Sequence, residues 1–110
     1  MNLGSMATYL GAAGEYVWYA ASKAAIDTLT VGLSREVAGE GMRVNAVAPG
    51  LIDTDIHASG GQPDRIERLR SMIPMGRPGA AEEVADTILY LLSEQASYVN
   101  GTIVRVSGGR

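Results

Sequence analysis

The chain has 110 residues, of which 46% are hydrophobic, and its formal net charge at pH 7 is -3. A chain of this length makes one small domain and no more, and its apolar content argues against disorder. The acidic balance leaves no basic face for nucleic acid and no attraction to an anionic membrane. The sequence contains no cysteine, which excludes disulfides and thiolate metal sites and fits a cytoplasmic protein.

The first periodic segment runs from about Val17 to Ala38 and predicts a long helix. Gly39 and Gly41 follow it, and glycines are typical of helix ends. Its apolar residues recur at the three- and four-residue spacing of one helix face. These residues are Ile26, Leu29, Leu33 and Val37.

The next segment, from Arg43 to Ala48, is short, mostly apolar and rich in residues that favour β-structure, and Pro49 and Gly50 close it. These features predict a buried parallel strand. A strand directly after a long helix is half of a βαβ unit.

Residues 51–76 have a mixed pattern. Residues 59–63 (Ser-Gly-Gly-Gln-Pro) are typical of a mobile loop. Asp64 follows this loop and is placed to cap a helix. That helix would carry an apolar stripe of Ile66, Leu69 and Ile73.

The last two segments predict a helix from about Ala80 to Leu92 and a strand from Thr102 to Val106. Glu82 and Glu83 fall in the first turn of the helix, where acidic residues suit the helix dipole. The order helix, strand, helices, strand is a parallel α/β pattern that lacks its front end.

The strongest chemical signal is Tyr19-x-x-x-Lys23. Side chains four residues apart stand one turn apart on the same helix face, and an ammonium there favours the phenolate form of the tyrosine. Such a tyrosine can exchange a proton with a substrate oxygen near neutral pH. Many surface helices carry this spacing by chance. Small neighbouring residues and Ser5, whose hydroxyl can polarise the same oxygen, favour the catalytic interpretation.

Several motifs, in order along the chain, resemble the C-terminal half of the short-chain dehydrogenases/reductases. The resemblance covers essentially all of residues 1–110 and implies a single partial domain with an α/β fold. That fold is the C-terminal half of a doubly wound parallel sheet of Rossmann type. The matching motifs are residues 2–5 (Asn-Leu-Gly-Ser), Tyr19-x-x-x-Lys23, residues 43–50 (Arg-Val-Asn-Ala-Val-Ala-Pro-Gly), residues 73–77 (Ile-Pro-Met-Gly-Arg), residues 82–85 (Glu-Glu-Val-Ala) and residues 98–109.

The resemblance implies an oxidoreductase that interconverts an alcohol and a carbonyl in a small-molecule substrate with NAD or NADP. Tyr19 would be the general acid/base, Lys23 would favour its ionised form and bind the nicotinamide ribose, and Ser5 would hold the substrate oxygen. Backbone atoms of Ile52 would face the carboxamide. The cofactor-binding residues implied in this way are Tyr19, Lys23, Pro49, Gly50, Ile52 and Thr54.

The resemblance also makes residues 51–76 a substrate lid, and a lid that excludes water favours hydride transfer. His57 lies in this segment and is a candidate for substrate contact. Trp18 precedes the catalytic tyrosine and is a candidate for packing or for the substrate wall.

No metal site is expected, because His57 is the only histidine and has no cysteine near it. Asp53 and Asp55 are better suited to cap the next helix. A group of arginines is expected to form a solvated helix face: Arg65, Arg68 and Arg70.

The family's front elements are a strand, a glycine-rich turn of the TGxxxGxG type and a helix that receives the pyrophosphate. This sequence contains none of them, so the nucleotide-binding half is expected to be missing and the chain to be inactive alone. The chain is expected to form homo-oligomers through its long helix or an exposed strand edge. The alternative to an oxidoreductase is a non-catalytic folded fragment that self-associates in this way. The number of ordered motifs disfavours a plain interaction module. Gly4 stands where the family often has serine.

Overall fold

The computed structural model describes residues 1–110 and shows one sheet of three parallel strands. The strands lie in the order β1-β2-β3. Asn2 of the first strand is opposite Ala46 of the second, which is opposite Ile103 of the third. The parallel α/β pattern predicted from the sequence is therefore confirmed. The strands are β1 (Asn2–Leu3), β2 (Ala46–Pro49) and β3 (Ile103–Val106).

Five α-helices connect and cover these strands. The two long ones were predicted from periodicity, and each agrees with its prediction to within one residue at either end. The two shortest helices have four residues each, which is too few to show a helical period. The helices are α1 (Ala7–Leu10), α2 (Val17–Val37), α3 (Ile56–Ser59), α4 (Arg65–Leu69) and α5 (Ala81–Leu92), with 3-10 turns at Ala38–Glu40, Arg70–Met72 and Glu94–Ala96. None of the helices combines the length and the apolar character needed to cross a membrane.

The two long helices lie on opposite faces of the sheet. On one face, Val47 of β2 packs against Val84 of α5. Ala46 points to the other face, because neighbouring side chains in a strand alternate. Asn2 lies beside Ala46, and its Nδ2 donates to Thr30 Oγ1 of α2 at 2.9 Å. Helices on both faces make this a doubly wound arrangement.

Helix α2 packs on the sheet through small and polar residues, because the buried side chains of this helix are Ala20, Thr30 and Ser34. The Thr30 hydroxyl donates to the helix's own Ile26 carbonyl at 2.8 Å, and Ser34 bonds to its own helix in the same way. Such local bonds satisfy a buried hydroxyl. The predicted apolar stripe is only partly covered, and Leu29 remains 53% exposed.

Strand β2 begins at Ala46, three residues later than predicted. Arg43 turns away and donates from Nη1 to the Leu91 carbonyl at the end of α5, at 2.7 Å. The Val44 N–H donates to Asn100 Oδ1 at 2.8 Å instead of to a neighbouring strand. At residues 43 and 44, contacts with distant parts of the chain therefore take the place of the strand hydrogen bonds that the sequence predicted.

The segment 51–76 folds around a second apolar cluster. The stripe predicted there is confirmed, but its helix ends at Leu69 and continues as a 3-10 turn. The capping predictions are wrong. Asp55 and Asp64 stand at the starts of α3 and α4, and neither carboxylate accepts a capping bond. Their backbone ψ angles of -9° and 0° lack the extended conformation that turns a cap toward the helix N–H groups. The cluster consists of Leu51, Leu69 and Ile73, with Ile66 against it.

Candidate active site

A cavity of about 620 Å³ lies at the carboxyl ends of β1 and β2. Gly4 and Ser5, which follow β1, line it together with Gly50 and Leu51, which follow β2. Parallel strands bring such residues to one edge of the sheet, which is where open α/β sheets bind ligands. Most of the cavity wall is apolar.

The structure brings most of the predicted site residues to this cavity. Lys23 stands beside it, and Trp18 is 89% exposed and does not line it. Trp18 is one position from Tyr19 on α2, and successive helical residues point about 100° apart. The predicted residues that line the cavity are Ser5, Tyr19, Pro49, Gly50, Ile52, Thr54 and His57.

Helix α2 presents Tyr19 and Lys23 on one face. The Lys23 ammonium lies 5.7 Å from the centroid of the Tyr19 ring and donates to the Leu3 carbonyl at 2.9 Å. Tyr19 is 44% exposed, so its hydroxyl is accessible from the cavity side. The lysine thus joins α2 to the end of β1.

Ser5 is held by the first turn of α1. Its Oγ accepts a hydrogen bond from the Ala7 N–H at 3.1 Å, which leaves the hydroxyl proton free to donate. The next residue, Met6, is buried, and its N–H donates to the Pro49 carbonyl at 2.9 Å. The position of Ser5 is therefore fixed by the backbone contacts of the two residues that follow it.

His57 is directed toward the backbone that follows β2. Its Nε2 donates to the Ile52 carbonyl at 2.8 Å, so Nδ1 carries no proton when the ring is neutral. Residue 52 also forms a parallel bridge with Gly79. No three His, Asp or Glu side chains of the chain converge as a metal-binding group.

Four polar residues join the segment before α2 to residues 51–76, and we call them the lid clasp: Glu15, Tyr16, Gln62 and Arg65. Arg65 Nη1 lies 2.6 Å from Glu15 Oε2, and its guanidinium lies 5.2 Å from the Tyr16 ring centroid. Gln62 accepts from Arg65 at 2.9 Å and donates to the Tyr16 hydroxyl at 2.7 Å. All four residues line the cavity.

The lid clasp corrects the prediction of a solvated arginine face at Arg65 only, because Arg68 and Arg70 are exposed as predicted. The Arg65 side chain is only 17% exposed. Arg68 Nη2 donates to Gln62 Oε1 at 2.7 Å, and Arg70 Nε donates to the Gly76 carbonyl at 3.0 Å. The chain folds back over the segment before α2, so Arg65 meets Glu15, a partner that helical periodicity alone does not reveal.

Asp27 is a further charged residue near the site, and no sequence motif marks it. It lies one helical turn after Lys23, and its two carboxylate oxygens are buried without a hydrogen-bond donor. Burial raises the pKa of Asp27 above its ordinary value, and the nearby Thr8 hydroxyl and Lys23 charge lower it by less.

Comparison with known proteins agrees with this geometry. The family model for enoyl-(acyl carrier protein) reductase matches residues 1–110. An oxidoreductase of Escherichia coli K12 is 59% identical over 110 residues, which are all of this chain and 44% of that protein. A 3-oxoacyl-(acyl-carrier-protein) reductase of Pseudomonas aeruginosa is 45% identical over 109 residues, or 99% of this chain and 43% of that protein. The chain belongs to the short-chain dehydrogenase/reductase family.

A solved dehydrogenase structure matches the fold as well. It is a candidate 2-deoxy-D-gluconate 3-dehydrogenase of Agrobacterium tumefaciens with bound NADP. Its TM-score is 0.86 at 34% identity, over 98% of this chain and 44% of that chain. The chain therefore spans less than half the length of the relatives it matches, and the predicted Rossmann-type fold is confirmed.

Proposed function

We propose that this chain supplies the proton-transfer and substrate-binding part of an oxidoreductase that interconverts an alcohol and a carbonyl with NAD or NADP. The observation that supports it is the convergence of Tyr19 and Ser5 on one cavity, with the Lys23 ammonium beside the tyrosine ring. The named relatives are oxidoreductases and reductases, which agrees with that chemistry.

Each of the three side chains has a separate task. In the reducing direction, the Tyr19 hydroxyl gives its proton to the substrate oxygen, and in the oxidising direction the phenolate takes it back. The Lys23 ammonium stabilises the phenolate by its positive charge. Ser5 donates its free hydroxyl proton to the same substrate oxygen and stabilises the charge that develops there.

The residues present fit the nicotinamide end of the cofactor. The Lys23 ammonium has three N–H donors, and one of them donates to the Leu3 carbonyl. Two donors therefore remain for ribose hydroxyls. Pro49, Gly50, Ile52 and Thr54 line the same cavity as Tyr19, where a nicotinamide ring would lie. The nicotinamide supplies or accepts the hydride when it is bound.

The residues present do not fit the pyrophosphate end. A pyrophosphate is held by a glycine-rich turn at the start of a helix of several turns. Here β1 leads into α1, which has only four residues. We therefore propose that the 110-residue chain alone turns over no substrate, and that catalysis needs a nucleotide-binding part supplied by additional chain.

The proposed substrate is a small molecule with a largely apolar body next to its carbonyl, because the cavity wall is mostly apolar. Leu10, Leu51 and Ile56 form part of that wall. The lid clasp supplies the polar groups on one side, and Glu15 already neutralises Arg65 there. A substrate with a strongly charged group at this side is disfavoured, since it would compete with the ion pair.

A graft tests the proposed function. Residues 1–110 replace the matching segment of the Escherichia coli oxidoreductase, whose 59% identity makes the joined packing compatible. Oxidation of NADPH and NADH is followed with a panel of apolar aldehydes and ketones. Tyr19→Phe should reduce turnover by about 10²–10⁴-fold, whereas Tyr98→Phe, at a fully exposed position, should leave it unchanged. Equal turnover in the Tyr19→Phe graft would refute the proposal.

A second candidate function is self-association without catalysis. β1 lies at one edge of the sheet, with β2 on one side only. Leu3 on this edge and Leu29 on α2 are each 53% exposed. An open strand edge and an exposed apolar helix face both favour pairing between chains.

A further inference from the structure

Three buried polar side-chain atoms of the chain have no hydrogen-bond partner, and all of them lie between α1 and α2. They are Thr8 Oγ1 and the two carboxylate oxygens of Asp27. Thr8 is close enough to lower the Asp27 pKa, but its hydroxyl is outside hydrogen-bond geometry. A buried carboxylate without donors is unfavourable, so its neighbours at this point must offset that cost.

Gly4 lies directly against this carboxylate. A Cβ atom added to Gly4 would be 2.7 Å from Asp27 Oδ1 and 3.3 Å from the Val47 carbonyl oxygen. Asp27 thus occupies the space that a side chain at position 4 would need. The carboxylate and the glycine form a contact immediately before Ser5.

Lys23 contacts the preceding residue of the same segment. It lies one turn before Asp27 on α2, and its ammonium donates to the Leu3 carbonyl at 2.9 Å. The two oppositely charged side chains therefore contact consecutive residues at the end of β1. Tyr19, Lys23 and Asp27 continue one face of α2 at intervals of four residues.

We propose that Asp27 is a positioning residue of the site. Its carboxylate packs on Gly4 and attracts the Lys23 ammonium, so that the segment carrying Ser5 is held against the helix carrying Tyr19. This role rests on the proposed function, because it matters for catalysis only if Ser5 and Tyr19 act on one substrate oxygen.

Few groups surround the Asp27 carboxylate. Lys23 is the one charged side chain that acts on it. Helix α1 contributes the neutral hydroxyl of Thr8, and the segment after β1 contributes the backbone of Gly4. Lys23 is therefore the one charge to test at Asp27, although burial and the Thr8 hydroxyl each shift the Asp27 pKa by more than Lys23 does.

The first test is a double-mutant cycle in the 110-residue chain, with the unfolding equilibrium as the readout. Gly4→Ala should destabilise the chain, and Asp27→Ala should relieve most of that loss. The expected coupling is about 5-fold or more in the unfolding constant. Gly32→Ala is the matched control, because a Cβ there meets nothing within 4 Å and should be additive with Asp27→Ala. Additivity of the Gly4 and Asp27 substitutions would overturn the proposal.

The second test separates charge from packing. Lys23→Met should raise the pKa of Asp27 further, measured from the carboxyl carbon resonance in NMR, because the ammonium that lowers it is gone. Arg105→Met is the control. Asp27→Asn keeps the shape, so the Ser5 amide resonance should stay closer to the wild type than in Asp27→Ala. An Asp27 titration unchanged by Lys23→Met would overturn the electrostatic part.

Both tests are made without cofactor or substrate, so their outcome is independent of turnover. The Gly4 and Asp27 substitutions could be coupled while the Tyr19→Phe graft stays active. The proposed function would then fail, and the contact between Gly4 and Asp27 would stand. Loss of coupling combined with a Tyr19-dependent graft would mean that only the positioning role fails.

Discussion

Arg65 Nη1 lies 2.6 Å from Glu15 Oε2, which joins the segment before α2 to the predicted lid. Both side chains are largely buried, at 17% and 27% exposed, so the pair is better shielded from solvent than a surface ion pair. Glu15→Gln should remove about 1–2 kcal/mol of the lid's local stability. Amide exchange over residues 56–69 should then become about 5–30-fold faster.

Asp64→Asn provides the control for the lid clasp. Asp64 lies 3.9 Å from Arg68 Nε and is 74% exposed, so its loss should leave amide exchange in the lid nearly unchanged. Equal exchange rates in wild type and Glu15→Gln would show that the apolar cluster around Leu69 holds the lid without the clasp.

Periodicity predicted α2, α5 and the parallel sheet because those patterns are local. The apolar spacing of α5 is set by residues within the helix itself, and it places Val84 on the face that packs against the sheet. The same reasoning placed Tyr19 and Lys23 on one helix face, since their relation is set by four residues of helix.

The remaining features depend on distant partners. Arg65 has the sequence neighbours of a solvated helix, and only the fold brings Glu15 to it. Arg43 begins a segment rich in β-forming residues, yet its guanidinium donates to a carbonyl at the end of α5. Asp27 belongs to no motif, and its contact with Gly4 arises where two elements pack. Sequence patterns carry little information about such tertiary contacts.

The exposed face of α2 predicts self-association. Leu29 is 53% exposed, and Leu29→Glu should convert associated chains to monomers by placing a charge in the contact. Thr28→Glu is the control, because it adds the same charge to a position pointing about 100° away. Light scattering measures the mass. A compact monomer for the wild type at high concentration would contradict the prediction.

The start of α5 predicts an acid-sensitive contribution to stability. Glu83 accepts two bonds from Arg77 and one from the Ala80 N–H, each at 2.8 Å, and these lower its pKa to about 2. A lowered pKa adds stability above the ordinary value of 4.5, and that stability is lost as pH falls toward 2. Unfolding midpoints of wild type and Glu83→Gln should therefore converge over this range. Glu82→Gln, whose carboxylate has no partner, should show no comparable convergence.

For Asp27 we expect a pH dependence of stability that is opposite in sign to that of Glu83. Its pKa is raised in the folded chain, chiefly by burial, so the unfolded state ionises first as pH rises above the ordinary value of 3.8. Wild-type stability should fall through that window and level off above the folded pKa. Asp27→Asn removes the titration, so its stability relative to wild type should rise over the same window. A stability difference that stays constant from pH 3 to pH 7 would show that the carboxylate is solvated, and the contact with Gly4 would then be open to water.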